Sequence, residues 1–190
     1  MSAKGRGGKS PLPEGIPTRP AVGRLYRCVP QLHFDGGRPP TYFFASRRAN
    51  RCNPADVECL YFSEDEATAS AEYRSAWKGL PAKHQPKLTY VARVRLAHVL
   101  DLGNPEISRT LRLKEEDFYG PWRLRGRTRL QRLGLAVSVQ KRIAAIRFPS
   151  AAARSEKAAG WNMAIFKAAL AAPSRVEILG DGTRPLEVLP

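Results

Sequence analysis

Prolines and glycines punctuate this chain so often that no stretch is left for a long uninterrupted helix, since each proline removes a backbone donor and each glycine weakens an element interior. With 16 prolines and 15 glycines in 190 residues, the segments between the breaks are short strand and helix candidates, and no internal repeat organises them. Hydrophobic residues make up 43% and charged residues 26%, enough apolar material for one core. The expected class is α+β, a mixed, mainly antiparallel sheet with flanking helices.

The sharpest local signal is ECLYFSEDEATASAEYRSAW. Cys59 to Phe62 is strand-like, Ser63 and Glu66 have the spacing of a capping box, and Ala67 to Trp77 is an alanine-rich helix ending before Gly79. Glu64, Asp65 and Glu66 complement the helix dipole, whereas Glu72 lies beyond the first turn between Ala69 and Ala76, on an uncrowded flank. Further strands are expected at Leu25 to Val29, within Lys87 to Leu102, at Ile143 to Phe148, at Val176 to Leu179 and at Leu186 to Leu189, with a turn at Gly180-Asp181-Gly182. The strand from Lys87 alternates Leu88, Tyr90, Ala92, Val94 and Leu96 with more polar positions, as a sheet with one buried face requires. Residues 106–138 read as two helical pieces broken near Tyr119-Gly120-Pro121. The long connection from Gln31 to Glu58 has room for a short strand at Tyr42 to Ala45.

Lysine and arginine total 32 against 17 acids, a net charge of +15. Such an excess suits an anionic partner: nucleic acid, a phosphorylated small molecule or an acidic protein. Residues 1–22 form a basic Gly/Pro-rich arm expected to be disordered, and residues 23–190 form the domain. A second concentration, five arginines and no acid between Pro121 and Arg132, has no purpose legible in sequence. No stretch approaches the roughly 20 apolar residues that span a bilayer, and MSAKGRGGKS lacks the apolar run of a secretory signal, so a cytoplasmic protein is expected.

His33, His84 and His98 are far apart, and Cys28, Cys52 and Cys59 form no C-x-x-C pair, so neither a metal site nor a disulfide framework is expected. A Gly-rich phosphate loop and a G-x-S-x-G elbow are both missing. What remains is a set of polar residues in or beside strands, Arg27, Arg51, Tyr61, Ser150 and Asn162, with Glu72 on the helix. Each also has a plain structural use: a solvated arginine, a core tyrosine, a cap after Pro149.

The segments LYR at 25–27, NRCNPADVECLYFSEDEATASAEY at 50–73 and IRFPSAAARSEKAAGWNMAIF at 146–166 resemble, in order and spacing, the RES domain, named for its Arg, Glu and Ser. The resemblance aligns Arg51, Tyr61, Glu72, Ser150 and Asn162 with that family's pattern, over roughly residues 23–180. The turn Cys52 to Val57 departs from it where the family often has a glycine, and the basic arm has no counterpart. RES domains are similar to ADP-ribosyltransferases in fold and include toxins of RES-Xre type toxin-antitoxin systems.

The resemblance therefore implies an NAD+-consuming toxin that cleaves the nicotinamide-ribose bond by hydrolysis or phosphorolysis, with NAD+ as substrate and no metal. It implies a helix-turn-helix antitoxin as partner, and a homodimer. On that alignment Glu72 stabilises the ribosyl cation, and Arg51 and Arg27 clamp the pyrophosphate. Tyr61 contacts the nicotinamide ribose, while Ser150 and Asn162 orient the nicotinamide half or the attacking nucleophile. Transfer of ADP-ribose to a protein on the same fold is one alternative. A basic nucleic-acid-binding module without catalysis is the other.

Overall fold

The computed structural model describes residues 12–37, 48–78, 86–124, 126–180 and 184–190. Its strands are β1 (Arg19–Pro30), β2 (Cys59–Ser63), β3 (Lys87–Asp101), β4 (Ala145–Pro149), β5 (Trp161–Phe166), β6 (Arg175–Leu179) and β7 (Pro185–Leu189). Its helices are α1 (Gln31–Asp35), α2 (Glu66–Trp77), α3 (Pro105–Thr110), α4 (Glu115–Tyr119), α5 (Arg129–Gln140) and α6 (Ala151–Ser155). The class is α+β as expected, and among the strand pairings only β3 with β4 is parallel.

The strands run in the order β1-β2-β5-β4-β3-β6-β7, and an additional β1–β3 pairing closes the first five into a circuit. β3 makes this possible through its length. Its first part lies between β1 and β6, and its end, Val99 to Asp101, pairs with Ala145 to Arg147 of β4. Side-chain alternation then sorts the interior into two clusters. Leu60, Phe62, Met163 and Ile165 pack with Leu25, Val94, Leu96 and Ile178 from the β1-β3-β6 side. Cys59, Ala164, Phe166, Ile146 and Phe148 face the other way, toward Leu130, Leu133 and Val137 of α5. The β2-β5-β4 unit is thus covered on both faces, which is why CLYF and MAIF are continuous apolar runs rather than alternating ones.

Several boundaries differ from the expectation. The first strand starts at Arg19 rather than Leu25, because β3 is long enough to pair with Arg19 and with residues 21 to 24, whose mostly exposed side chains carry no hydrophobic signal. Of the arm expected over residues 1–22, positions 1–11 lie outside the described residues, while Leu12 and Ile16 are buried in the α5-side cluster. Ser63 does not cap α2. It ends β2, and Asp65 is the N-cap, accepting from the Thr68 N–H at 2.7 Å. The region read as two helical pieces divides further, into α3, α4, a 3-10 turn at Trp122–Leu124 and α5. Arg112 in the left-handed region stops α3, and the Asp117 carboxylate, accepting from the Lys114 N–H, starts α4. Trp161 begins a strand, β5. The possible strand at Tyr42 to Ala45 and residues 181–183 of the expected turn lie outside the described residues.

One ion cluster ties strand ends together. Arg147 on β4 grips Glu64 through Nε and Nη2 at 2.6 and 2.9 Å, reaches Asp101 at 3.0 Å, and lies 3.8 Å over the Trp161 ring. Burial alone would raise the Asp101 pKa, but hydrogen bonds from Arg19, Arg147 and the Gly103 N–H outweigh it and hold the carboxyl below its ordinary value.

Burial pushes the Cys52 and Cys59 thiols up, while Cys28 is only half-buried. A thiol-reactive disulfide reagent at pH 8 is expected to titrate Cys28 alone in the native protein and all three cysteines after unfolding. Because the folded pKa values lie above the unfolded value of about 8.5, this contribution to stability is intact below that pH and declines above it. Urea unfolding at pH 9.5 should show a loss of about 1.4 kcal/mol per buried thiol relative to pH 7.5.

Candidate active site

Three strand ends meet at one edge of the β2-β5-β4 unit. The β2–β5 register sets Ser63 opposite Asn162, and the β4–β5 register sets Pro149 opposite Trp161, so Ser150 follows beside them. Ser63, Asn162 and Ser150 are 3%, 7% and 2% exposed. Hydroxyls and an amide buried this deeply must find partners, and they find one another and Glu72. Asn162 Nδ2 donates to Glu72 Oε1 at 2.6 Å, Ser150 Oγ donates to the same oxygen at 2.7 Å, and Ser63 Oγ donates to Asn162 Oδ1 at 2.8 Å. The direction is forced. A carboxylate accepts only, so Asn162 must turn its NH2 to Glu72, which leaves its carbonyl to accept from Ser63. Among the described residues no other group donates to Glu72, so Oε2 stays open. Ser150 also caps α6, its Oγ accepting from the Ala153 N–H at 3.0 Å.

Arg51 reaches the same place from the loop before β2. Its Nη1 donates to the Gly120 carbonyl at 3.2 Å. Burial pulls its pKa down, while the charge of Glu72 is among those that oppose the shift and Arg123 adds to it. The guanidinium therefore stands within electrostatic range of both Glu72 and Arg123. The loop that carries it is pinned at several points. Tyr61 Oη donates to Asn53 Oδ1 at 2.7 Å and accepts from the Cys52 N–H at 3.0 Å. Asn53 Nδ2 donates to the carbonyls of Pro54 and Val57, and Gln131 of α5 donates to the Asn50 carbonyl at 2.8 Å. Gly134 of α5 lies so close to the loop that an added Cβ would sit 1.7 Å from the Cys52 carbonyl oxygen.

The structure therefore gathers Glu72, Ser150 and Asn162 by direct hydrogen bonds, with Arg51 alongside. Tyr61 is one step removed, its hydroxyl engaged by the Arg51 loop and its ring edge-on to Phe148 at 6.3 Å between centroids. Arg27 joins through the backbone, its Nη1 donating to the Tyr61 carbonyl at 3.1 Å. On the outer side, Arg154 of α6 lies 4.0 Å over the Tyr119 ring and pairs with Glu115, so α4 and the Gly120 segment are held against α6. Two mapped cavities flank the cluster, one between α2 and α6 and one beside α4 and α5, and neither is lined by Glu72, Ser150 or Asn162. Sequence reading missed Ser63 as a member of the network, and also the tethers Asn53, Gln131 and Gly134. Only the β2–β5 register reveals the first.

The family model described as the RES domain matches residues 24–187. The chain belongs to the RES domain family. Among solved structures it is similar to a chain of the M. tuberculosis MbcT–MbcA toxin–antitoxin complex, with a TM-score of 0.57 and 17% sequence identity over 78% of this chain and 76% of that one. At that identity the likeness is one of fold. Among curated proteins none matches. Within the described residues of this RES domain, no group of three or more His, Cys, Asp or Glu side chains is placed to hold a metal, and no helix is long and apolar enough to cross a membrane.

Two variants test how the Arg51 loop is held. Tyr61→Phe leaves the Cys52 N–H and the Asn53 side-chain oxygen Oδ1 without their Tyr61 partner and should cost about 1–3 kcal/mol in urea unfolding with an unchanged m-value. Gly134→Ala drives a methyl into the Cys52 carbonyl and should cost about 3 kcal/mol, read as a fall in Tm of roughly 10 °C.

Proposed function

We propose that this RES domain is an NAD+-consuming enzyme, a toxin restrained by a cognate antitoxin, and that it breaks the nicotinamide-ribose bond. The observation that carries the reading is the Glu72 carboxylate fixed by Ser150 and Asn162, with Arg51 beside it. Family membership supports it, as does the similarity in fold to a chain of a toxin–antitoxin complex.

In NAD+ the nicotinamide ring carries a positive charge that vanishes when the C1′–N bond breaks, because the bonding pair moves onto the ring nitrogen. The leaving group needs no proton. The demand falls on C1′, which becomes an oxocarbenium ion, and a pre-oriented carboxylate is the group best suited to it. Glu72 meets that demand in a specific way. Oε1 is tied by two donors, so the carboxylate cannot swing, and Oε2 is left to face C1′ or the ribose hydroxyls. Ser150 and Asn162 act on Glu72 rather than on the nicotinamide. Arg51 offers a guanidinium fork to the pyrophosphate and so fixes where the ribose lies. Tyr61 serves as the post from which the Arg51 loop is hung, and Arg27 braces the strand carrying Tyr61. The oxygen of water, which gives up a proton to the solvent, or an oxygen of phosphate then bonds to C1′ and consumes the cation, giving ADP-ribose or its 1-phosphate. The reading places this chemistry in the cytoplasm, where NAD+ is found.

Purified protein is expected to release nicotinamide from NAD+. Glu72→Gln, which keeps the shape and removes the charge, should lose at least about 100-fold in kcat, and Arg51→Ala should act chiefly by raising KM. Chromatographic assay of nicotinamide with and without phosphate checks the activity and separates hydrolysis from phosphorolysis. Full activity in Glu72→Gln would overturn the assignment.

A further inference from the structure

The cavity beside α4 and α5 has no part in the chemistry above, yet it adjoins Arg51. It encloses about 340 Å³, and its lining includes Glu116, Gly120, Trp122, Arg127, Arg129 and Arg132. That volume is within the range of small-ligand sites. Arg51 is its link to Glu72: the Nη1 of Arg51 donates to the carbonyl of Gly120, a lining residue, and its guanidinium is within electrostatic reach of Glu72 and of Arg123, which lies 5.0 Å from the Trp122 ring. Gln131, between the lining positions of α5, donates to the Asn50 carbonyl and so ties the cavity wall to the Arg51 loop.

The lining has a mixed character that narrows the ligand. Arg127 and Arg132 supply forks for phosphate, Arg129 being turned to the Arg112 carbonyl, and Trp122 supplies an aromatic ring. Glu116 and Asp117 put carboxylates in the same cavity, which opposes a polyanion lying along it but suits a ligand whose hydroxyls can donate. The N-terminus of α5 is not the anion site, because Thr128 and Gln131 cap it reciprocally. Phosphate, an aromatic base and a ribose diol together describe a single nucleotide.

We propose that this cavity takes the adenosine 5′-phosphate half of the dinucleotide, with Trp122 against adenine, Arg127 and Arg132 on the adenosine-side phosphate and Glu116 on the ribose hydroxyls. This rests on the reading of Glu72 and Arg51 as the centre of NAD+ cleavage, since it places the pyrophosphate at Arg51, between the two halves. It also gives the arginine run after Pro121 a purpose.

The test is calorimetric titration of the full chain with ADP, which has the adenosine and the pyrophosphate but no nicotinamide bond to cleave. The wild type and Glu72→Gln should bind ADP alike. Trp122→Ala and the double variant Arg127→Ala/Arg132→Ala should each weaken binding at least tenfold, and ADP should compete with NAD+ in the nicotinamide assay. Absence of ADP binding to the wild type, or wild-type affinity in both variants, would overturn the proposal. Failure of the wild type to release nicotinamide would instead sink the catalytic reading, whatever ADP does, so the two failures are distinguishable.

Discussion

A carboxylate half-buried at the end of a sheet must be held by donors, and in this domain that requirement organises everything near it. Glu72 is delivered by α2, but the groups that satisfy it come from the end of β4 and the start of β5. Removing one donor leaves an acceptor short at a place where water cannot easily replace it. The strand register is therefore part of the site. A slip of one residue between β2 and β5 would put Ser63 and Asn162 on opposite faces, so that the Ser63 hydroxyl could no longer fix the Asn162 amide that donates to Glu72.

Arg51 is positioned by a different means. No strand holds it, and its loop has the irregular backbone that a guanidinium needs to reach Gly120. The loop gains its rigidity from side chains, Tyr61 and Asn53 from within and Gln131 from α5, and from the absence of a side chain at Gly134. The helix that forms one wall of the α5-side core is thus also the support of a candidate substrate-binding residue. Core packing and site geometry share the same atoms, so variants in α5 should be read for both.

How much of this was legible in sequence depends on the range of the interaction involved. Local signals served well for the β2–α2 unit and the alternation along β3, which are patterns within a short window, and the family spacing picked out Glu72, Ser150 and Asn162, which the fold brings into hydrogen-bonding contact. The misreadings involve partners far away in the chain. Ser63 has the spacing of a cap, yet its hydroxyl is taken by Asn162, 99 positions later, and Asp65 caps in its place. Residues 19 to 24 show no apolar periodicity, because their strand is held by backbone pairing to β3 while, apart from half-buried Ala21, their side chains are exposed. Gly134 carries no signal of its own in the sequence, and only the nearness of Cys52 explains it.

The circuit β1-β2-β5-β4-β3 cannot close until its last member exists. β1 is the first strand to be synthesised, but its main partner is β3, and the donors for Glu72 arrive only with residues 150 and 162. Such non-local pairing delays assembly. A ribosome-bound fragment ending before β5 would therefore carry Arg51 and Glu72 without the frame that aligns them, so the candidate site takes shape only once β5 has joined the sheet.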